Sequence, residues 1–270
     1  MKPILFSIFG LNVYSYGLMY ALSLIVGLFY AEYRAKKNGL DKDFVFSMGL
    51  YSIIIGVIGA KVLHLITVIP DLINDFWPTF KSSLSSGFVV YGGIISAALF
   101  ALFYTKKKKH KFLIYFDIAA PAIALGEAIG RIGCFLSGCC YGIQTDAWFG
   151  ITFPAGSFAP AGVSLVPIQP ISAFLNLANC IILIIAYKRF KKVGMTAGLF
   201  MINYGVGRFV VEFFRNDYRG AIGPLSTSQF ISIFVVILGI ALMVKAKDKS
   251  EYESEFLSLD KESEQCTDKE

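Results

Sequence analysis

From residue 11 to residue 245 the chain is a series of apolar segments, each near the length of a membrane span, separated by short polar stretches that are alternately rich and poor in lysine and arginine. A helix needs about 20 mostly apolar residues to cross the hydrocarbon core. Seven segments qualify: 11–31, 44–68, 87–104, 113–136, 171–187, 195–214 and 228–245. Backbone amides find no water in lipid, so single apolar segments of this length are read as helices. The fold predicted is an all-α polytopic membrane protein of about seven transmembrane helices. With 56% hydrophobic and 16% charged residues, the chain is too apolar for a soluble globule, where charged residues make up about a quarter. No polar interval has room for a second domain. One membrane domain over 1–246 is expected, followed by a charged tail over 247–270, poor in apolar residues and expected to be disordered.

Loop charge sets the orientation, because short cytoplasmic loops are enriched in basic residues. The first loop carries Arg34, Lys36, Lys37 and Lys42, the third Lys106 to Lys109 with Lys111, and the fifth Lys188, Arg189, Lys191 and Lys192. The second has only Lys81, the long fourth loop (137–170) has none, and the sixth has Arg215 and Arg219. This alternation predicts an external N-terminus and a cytoplasmic C-terminus in the cytoplasmic membrane. The start, MKPILFSIFG, has one lysine and no small-residue cleavage site, so the first helix is expected to be retained. The net charge of +6 lies in clusters suited to anionic lipid headgroups, and no nucleic-acid partner is expected.

Ionisable residues inside spans are costly and are site hypotheses by default. Glu127 and Arg131 stand four apart on the fourth span, as do Arg208 and Glu212 on the sixth, so each pair shares a helix face. Lys61 and His64 share the second span, and Asp117 opens the fourth. One reading is that the pairs neutralise each other and lock helices together. The other is that Arg131 and Arg208, both in outer halves of their spans, converge on a lipid phosphate, which the planar guanidinium fork matches two oxygens at a time. The long fourth loop is rich in Gly and Pro (Pro154, Gly156, Pro160, Gly162, Pro167, Pro170). Among the five cysteines, Cys134, Cys139 and Cys140 have offsets of five and six that do not match the short ligand pairs of zinc sites. No metal site is expected, and small-residue packing is their default, with a nucleophilic thiol beside Arg131 left open. Cys266 lies in the tail, and no disulfide framework follows.

Five anchors carry a family resemblance: SYGLMYAL at 15–22, VVYGGIISA at 89–97, FDIAAP at 116–121, GRIGCFLSG at 130–138 and NYGVGRFVVEFFR at 203–215. In their order and spacing the chain resembles the prolipoprotein diacylglyceryl transferases, seven-helix bacterial membrane enzymes. The resemblance implies transfer of the diacylglyceryl group of phosphatidylglycerol to the lipobox cysteine of a prolipoprotein, forming a thioether, releasing glycerol phosphate and needing no cofactor. It implies that Arg131 binds the headgroup with Gly92 and Gly93 beside it. Tyr16, Tyr91, Arg208 and Glu212 would belong to the catalytic cavity, with Glu127, Cys134 and Cys139 in possible support. The chain departs from the family at Tyr91, where a histidine is usual, at Cys134, where an asparagine is usual, and at Cys139, where a glutamate is usual. Gln169 and Pro170 stand for a histidine–proline step. These departures leave a catalytically weakened lipid-binding relative as one rival and a transporter that relays ions through the buried charges as another, although no pair of matched broken helices marks a transporter repeat.

Overall fold

The structure, a computed structural model, describes residues 3–8, 11–85, 87–217 and 220–248. Arg219, Cys266 and the tail from 249 onward lie outside the described residues. The helices, in chain order, are α1 (Ser15–Lys37), α2 (Lys42–Thr67), α3 (Ile69–Asn74), α4 (Phe76–Ser85), α5 (Val90–Lys107), α6 (Phe112–Ser137), α7 (Ile168–Arg189), α8 (Met195–Glu212) and α9 (Thr227–Val244). Five of them, α1, α2, α6, α7 and α9, are long and apolar enough to cross a membrane. The two other predicted spans also form helices of 18 residues. Lys106 and Lys107 at the end of α5, and Arg208 and Glu212 in α8, lower their hydropathy.

Short antiparallel strand pairs join the helices: β1 (Ile4–Ile8) with β2 (Leu11–Tyr14), β3 (Ile151–Thr152) with β4 (Ser164–Leu165), β5 (Lys192–Val193) with β8 (Lys247–Asp248), and β6 (Ala221–Ile222) with β7 (Leu225–Ser226). The structure differs from the sequence expectations in three places. The first helix begins at Ser15, four residues later than predicted, because 11–14 pair as a strand. The second loop is largely helical, as α3 and α4. Residues 247 and 248, assigned to the tail, pair with the fifth loop.

The chain divides into two compact units, one of residues up to Arg34 and from Leu113 onward, the other Ala35–Phe112. In the second unit α2 and α5 meet through small residues. A Cβ on Gly92 would stand 2.5 Å from the Gly59 carbonyl oxygen, and one on Gly93 3.0 Å from that of Gly56. Ser96 fills the seam, its hydroxyl donating to the carbonyls of Gly92 (2.8 Å) and Ile55 (3.2 Å). Lys61 is satisfied locally: its ammonium donates to the carbonyls of Ser83 and Gly87 and lies 4.4 Å from the centre of the Phe88 ring.

In the larger unit α6 is the most enclosed helix, lined with small buried residues such as Ala120, Ala124 and Ala128 that let neighbours approach. Ala120 and Ala124 pack with Cys180 and Leu183 of α7. The buried carboxylate of Asp117 accepts hydrogen bonds from the amides of Gly194 and Ala197, both 2.7 Å, so it caps α8. Arg34 donates from Nε to the Ile118 carbonyl at 3.0 Å. On its far side α8 meets α9 through Gly198 and Gly239, where a Cβ on either would stand 2.8 Å from the other's carbonyl oxygen. The Gly- and Pro-rich fourth loop is a folded element: Phe153, Ala159 and Leu165 form a small buried cluster, with Phe135, Tyr141 and Val163 packed against it.

Candidate active site

Helix periodicity fixes the first part of the site. Glu127 and Arg131 lie one turn apart on α6, and Tyr204, Gly207, Arg208 and Val211 share one face of α8. Together with Ser172, Asn176 and Asn179 of α7, and with Arg215, they line a cleft of about 50 Å³. Asn203 of α8 donates to Asn179 of α7 at 2.9 Å, pinning the cleft's two walls together.

The arginines are held differently. Arg208 lies 2.7 Å from Glu212 through Nη1 and donates from Nη2 to the Ser228 hydroxyl at 2.7 Å. Ser228 sits in the first turn of α9, which a Ser226–Gln229 capping box fixes. Arg215, with its side chain 3% exposed, donates to both carboxylate oxygens of Asp217, from Nε at 2.9 Å and from Nη2 at 2.6 Å, and lies 3.7 Å from Glu212. Glu212 thus stands between two guanidiniums, one of which is already taken by Asp217. Arg131 is within electrostatic reach of Glu127, Cys134, Tyr204 and Cys140. Glu127 interacts with both Arg131 and Arg208 and is hydrogen-bonded by Tyr204, while its Oε2 is buried with no hydrogen-bond partner among the described residues.

Beside this cleft α6 ends at Ser137, and the chain turns through Gly138, Cys139 and Cys140. The Cys139 amide donates to the Cys134 carbonyl at 3.1 Å, folding the turn back onto the helix. As a result the sulfurs of Cys134, Cys139 and Cys140 all lie within 4.8 Å of one another. None of the three forms a disulfide. Gln169, 1% exposed at the start of α7, donates from Nε2 to the Cys139 carbonyl at 2.8 Å. Tyr16, in the first turn of α1, is within electrostatic reach of all three cysteines. It is brought there by Gly133, where a Cβ would stand 2.8 Å from that of Met19.

The structure therefore brings Glu127, Arg131, Arg208 and Glu212 into one neighbourhood and places Tyr16, Cys134 and Cys139 in an adjoining one. Tyr91, Gly92 and Gly93 belong to the other unit, where both glycines face α2. Sequence reasoning missed Tyr204, Ser228 and the Asn179–Asn203 link, and it read Arg215 as a loop charge. The spacing of Arg208, Glu212 and Arg215, four and then three residues, was the available signal that all three share a face.

A family model described as prolipoprotein diacylglyceryl transferase matches residues 3–245. The chain is 42% identical over 240 residues to the phosphatidylglycerol–prolipoprotein diacylglyceryl transferase of Clostridium tetani, covering 89% of this chain and 96% of that protein. It is 43% identical over 242 residues to the Clostridium perfringens protein numbered 2 under the same name, covering 90% and 94%. With the Finegoldia magna protein of that name it shares 32% over 255 residues, covering 92% and 96%.

Proposed function

We propose, from the premise that the chain belongs to the prolipoprotein diacylglyceryl transferase family, that the cleft between α6, α7 and α8 holds the phosphatidylglycerol headgroup during transfer. The protein is a transferase of lipoprotein biosynthesis and a multi-pass protein of the cytoplasmic membrane. The observation that carries the site is the presence of Arg131 and Arg208 on facing helices of one cleft. In the reaction the lipobox thiol attacks the glyceryl carbon of the lipid, a carbon–sulfur bond forms, and the carbon–oxygen bond to phosphate breaks. Negative charge grows on the departing glycerol phosphate, and preorganised guanidiniums stabilise it more than they stabilise the bound lipid. Glu212 and Ser228 hold Arg208 in place, and Glu127 balances Arg131.

All seven long helices span the membrane in this proposal, with the N-terminus external. The pairing of the fifth loop with the start of the tail supports it, because both are basic stretches assigned to the cytoplasmic side. Arg131 then lies six residues from the outer end of α6 and Arg208 four from that of α8, roughly 9 and 6 Å below the surface at 1.5 Å per residue. That is headgroup depth. Tyr16, at the external start of α1, stands beside the cysteine turn. Gly92 and Gly93 seat α5 against α2 within their own unit.

The test is complementation of a strain depleted of its own transferase. The wild-type chain should restore diacylglyceryl modification of prolipoproteins, and Arg208→Ala, expressed to the same level, should not. Failure of the wild-type chain would leave a lipid-binding relative without transfer.

A further inference from the structure

The larger unit contains no imidazole: the chain's two histidines, His64 and His110, both belong to the other unit. It contains instead three cysteine sulfurs gathered at the end of α6, all within 4.8 Å of one another. We propose that Cys134, Cys139 and Cys140 bind one zinc ion whose fourth position takes the substrate's lipobox thiol as a thiolate. The inference rests on the transferase function.

The geometry fits the metal. Two sulfurs on a tetrahedral zinc, each about 2.3 Å from it, are separated by roughly 3.8 Å, and Cys139 and Cys140 stand 3.9 Å apart. Adjacent residues in an extended strand send their side chains to opposite faces. Here the left-handed backbone at Cys140 (φ 59°) breaks that alternation. A non-glycine residue rarely adopts this conformation, and it persists where the surroundings enforce it. The enforcing contacts are the Cys139 amide on the Cys134 carbonyl and the buried Gln169 amide on the Cys139 carbonyl. Gln169 Oε1 is itself buried with no partner among the described residues, leaving an acceptor beside the cluster for a donor on the incoming peptide. Three thiolates select zinc or copper(I) among cellular metals. Three protein ligands and an open position are the catalytic form of a zinc site. Three thiolates on a dication leave one net negative charge, and the Arg131 guanidinium lies within electrostatic reach of Cys134 and Cys140 to balance it.

The chemistry supplies a thiolate without an imidazole. Coordination removes the proton from a thiol outright, so the lipobox S–H releases its proton to water on binding. The metal-held sulfur then donates its electron pair to the glyceryl carbon. The carbon–oxygen bond breaks, and its electrons leave on the phosphate that Arg131 and Arg208 hold. The thioether product, neutral and a weaker ligand, departs. The balance is lipid plus thiol giving thioether, glycerol phosphate and one proton.

The experiment uses the full chain in detergent. Protein purified without chelator, or loaded with zinc, should hold one zinc per chain by mass spectrometry. Cys139→Ser and Cys134→Ser should hold almost none, and Cys180→Ser, in the α6–α7 core, should keep it. Thermal melts identify variants that fail to fold. With cobalt in place of zinc, a lipobox peptide should intensify the thiolate-to-cobalt absorption, and the same peptide with serine for cysteine should not. Removing zinc should lower transfer at least about 10²-fold, the lower range for a lost proton-transfer catalyst. Substoichiometric zinc insensitive to the cysteine variants, copper(I) alone, or a cobalt spectrum indifferent to the peptide would each overturn the proposal. So would undiminished transfer by zinc-free protein, which would leave the transferase reading intact. Absence of transfer by the zinc-loaded wild type would instead remove the transferase reading on which the proposal rests.

Discussion

Where α2 meets α5, Gly56, Gly59, Gly92 and Gly93 let the two backbones approach closely, and the Ser96 hydroxyl in the seam returns to backbone carbonyls. Where α6, α7 and α8 meet, the helices stand apart around a cleft and fill it with arginine, glutamate and asparagine side chains. Lipid gives helices no hydrophobic reason to associate, so the first junction depends on close van der Waals packing. The second gives up that packing and holds its walls with the Asn179–Asn203 and Arg208–Ser228 hydrogen bonds. Buried charge is expensive in either setting. Among the described residues the paired arginines and glutamates gather at the second junction, which supports the ligand site proposed there.

The sharpest break of that comparison is at the arginines. Arg131→Ala and Arg208→Ala should each lower transfer of labelled diacylglyceryl to a lipobox peptide by about 10²–10³-fold, as loss of one donor to a developing anion does. The lysine variants keep the charge but lose the planar fork, and they should recover part of the rate. Melting temperatures should move little in comparison. If both lysine variants transfer at the wild-type rate, the arginines serve only to balance Glu127 and Glu212.

A smaller effect of the opposite kind is expected at Gly92. Its added Cβ would collide with the Gly59 carbonyl, 2.5 Å away, and with Leu63 Cβ at 2.6 Å. Both are anchored in α2, so the helices must separate. Gly92→Ala should cost about 1–3 kcal/mol, the usual range for overpacking, seen as a lower melting temperature in detergent. The catalytic rate per folded molecule should fall far less than for the arginine variants. An unchanged melting temperature would mean the two helices are not held at this seam.

The contrast between the junctions was only partly visible in the sequence. Hydropathy located every long helix to within about six residues at its ends, and the i, i+4 spacing identified Glu127 with Arg131 and Arg208 with Glu212 as pairs. Which pair would face which was not legible, since it depends on how α6 and α8 pack across α7. The cysteines were hard to read for a related reason: offsets of five and six do not reveal that a turn folds Cys139 back onto Cys134 and that, with a left-handed Cys140, the three sulfurs come within 4.8 Å of one another. The strand over 11–14 was absorbed into the first apolar run because its residues, Leu, Asn, Val and Tyr, continue the hydropathy of α1. In the fourth loop, glycine and proline concealed a folded element whose core is only three buried residues.

The smallest effect should come from repeating the glycine-to-alanine change inside the cleft. A Cβ on Gly207 meets nothing within 4 Å, and the residue lies in the body of α8. Alanine there strains nothing and favours the helix by up to about 1 kcal/mol, so the melting temperature of Gly207→Ala should stay level or rise slightly, against the fall at Gly92. The methyl group has to go somewhere, however. Gly207 lines the cleft of about 50 Å³, and one added carbon takes up a sizeable part of it, next to Arg208. A phosphate must enter that space to reach the guanidinium, so the variant should raise the KM for phosphatidylglycerol several-fold while kcat changes less. The measurement is transfer at varied lipid mole fraction in mixed micelles, beside a thermal melt of the same preparation. If alanine at 207 leaves KM unchanged, lipid does not enter between α6 and α8, and the headgroup site must be sought at another part of the molecule.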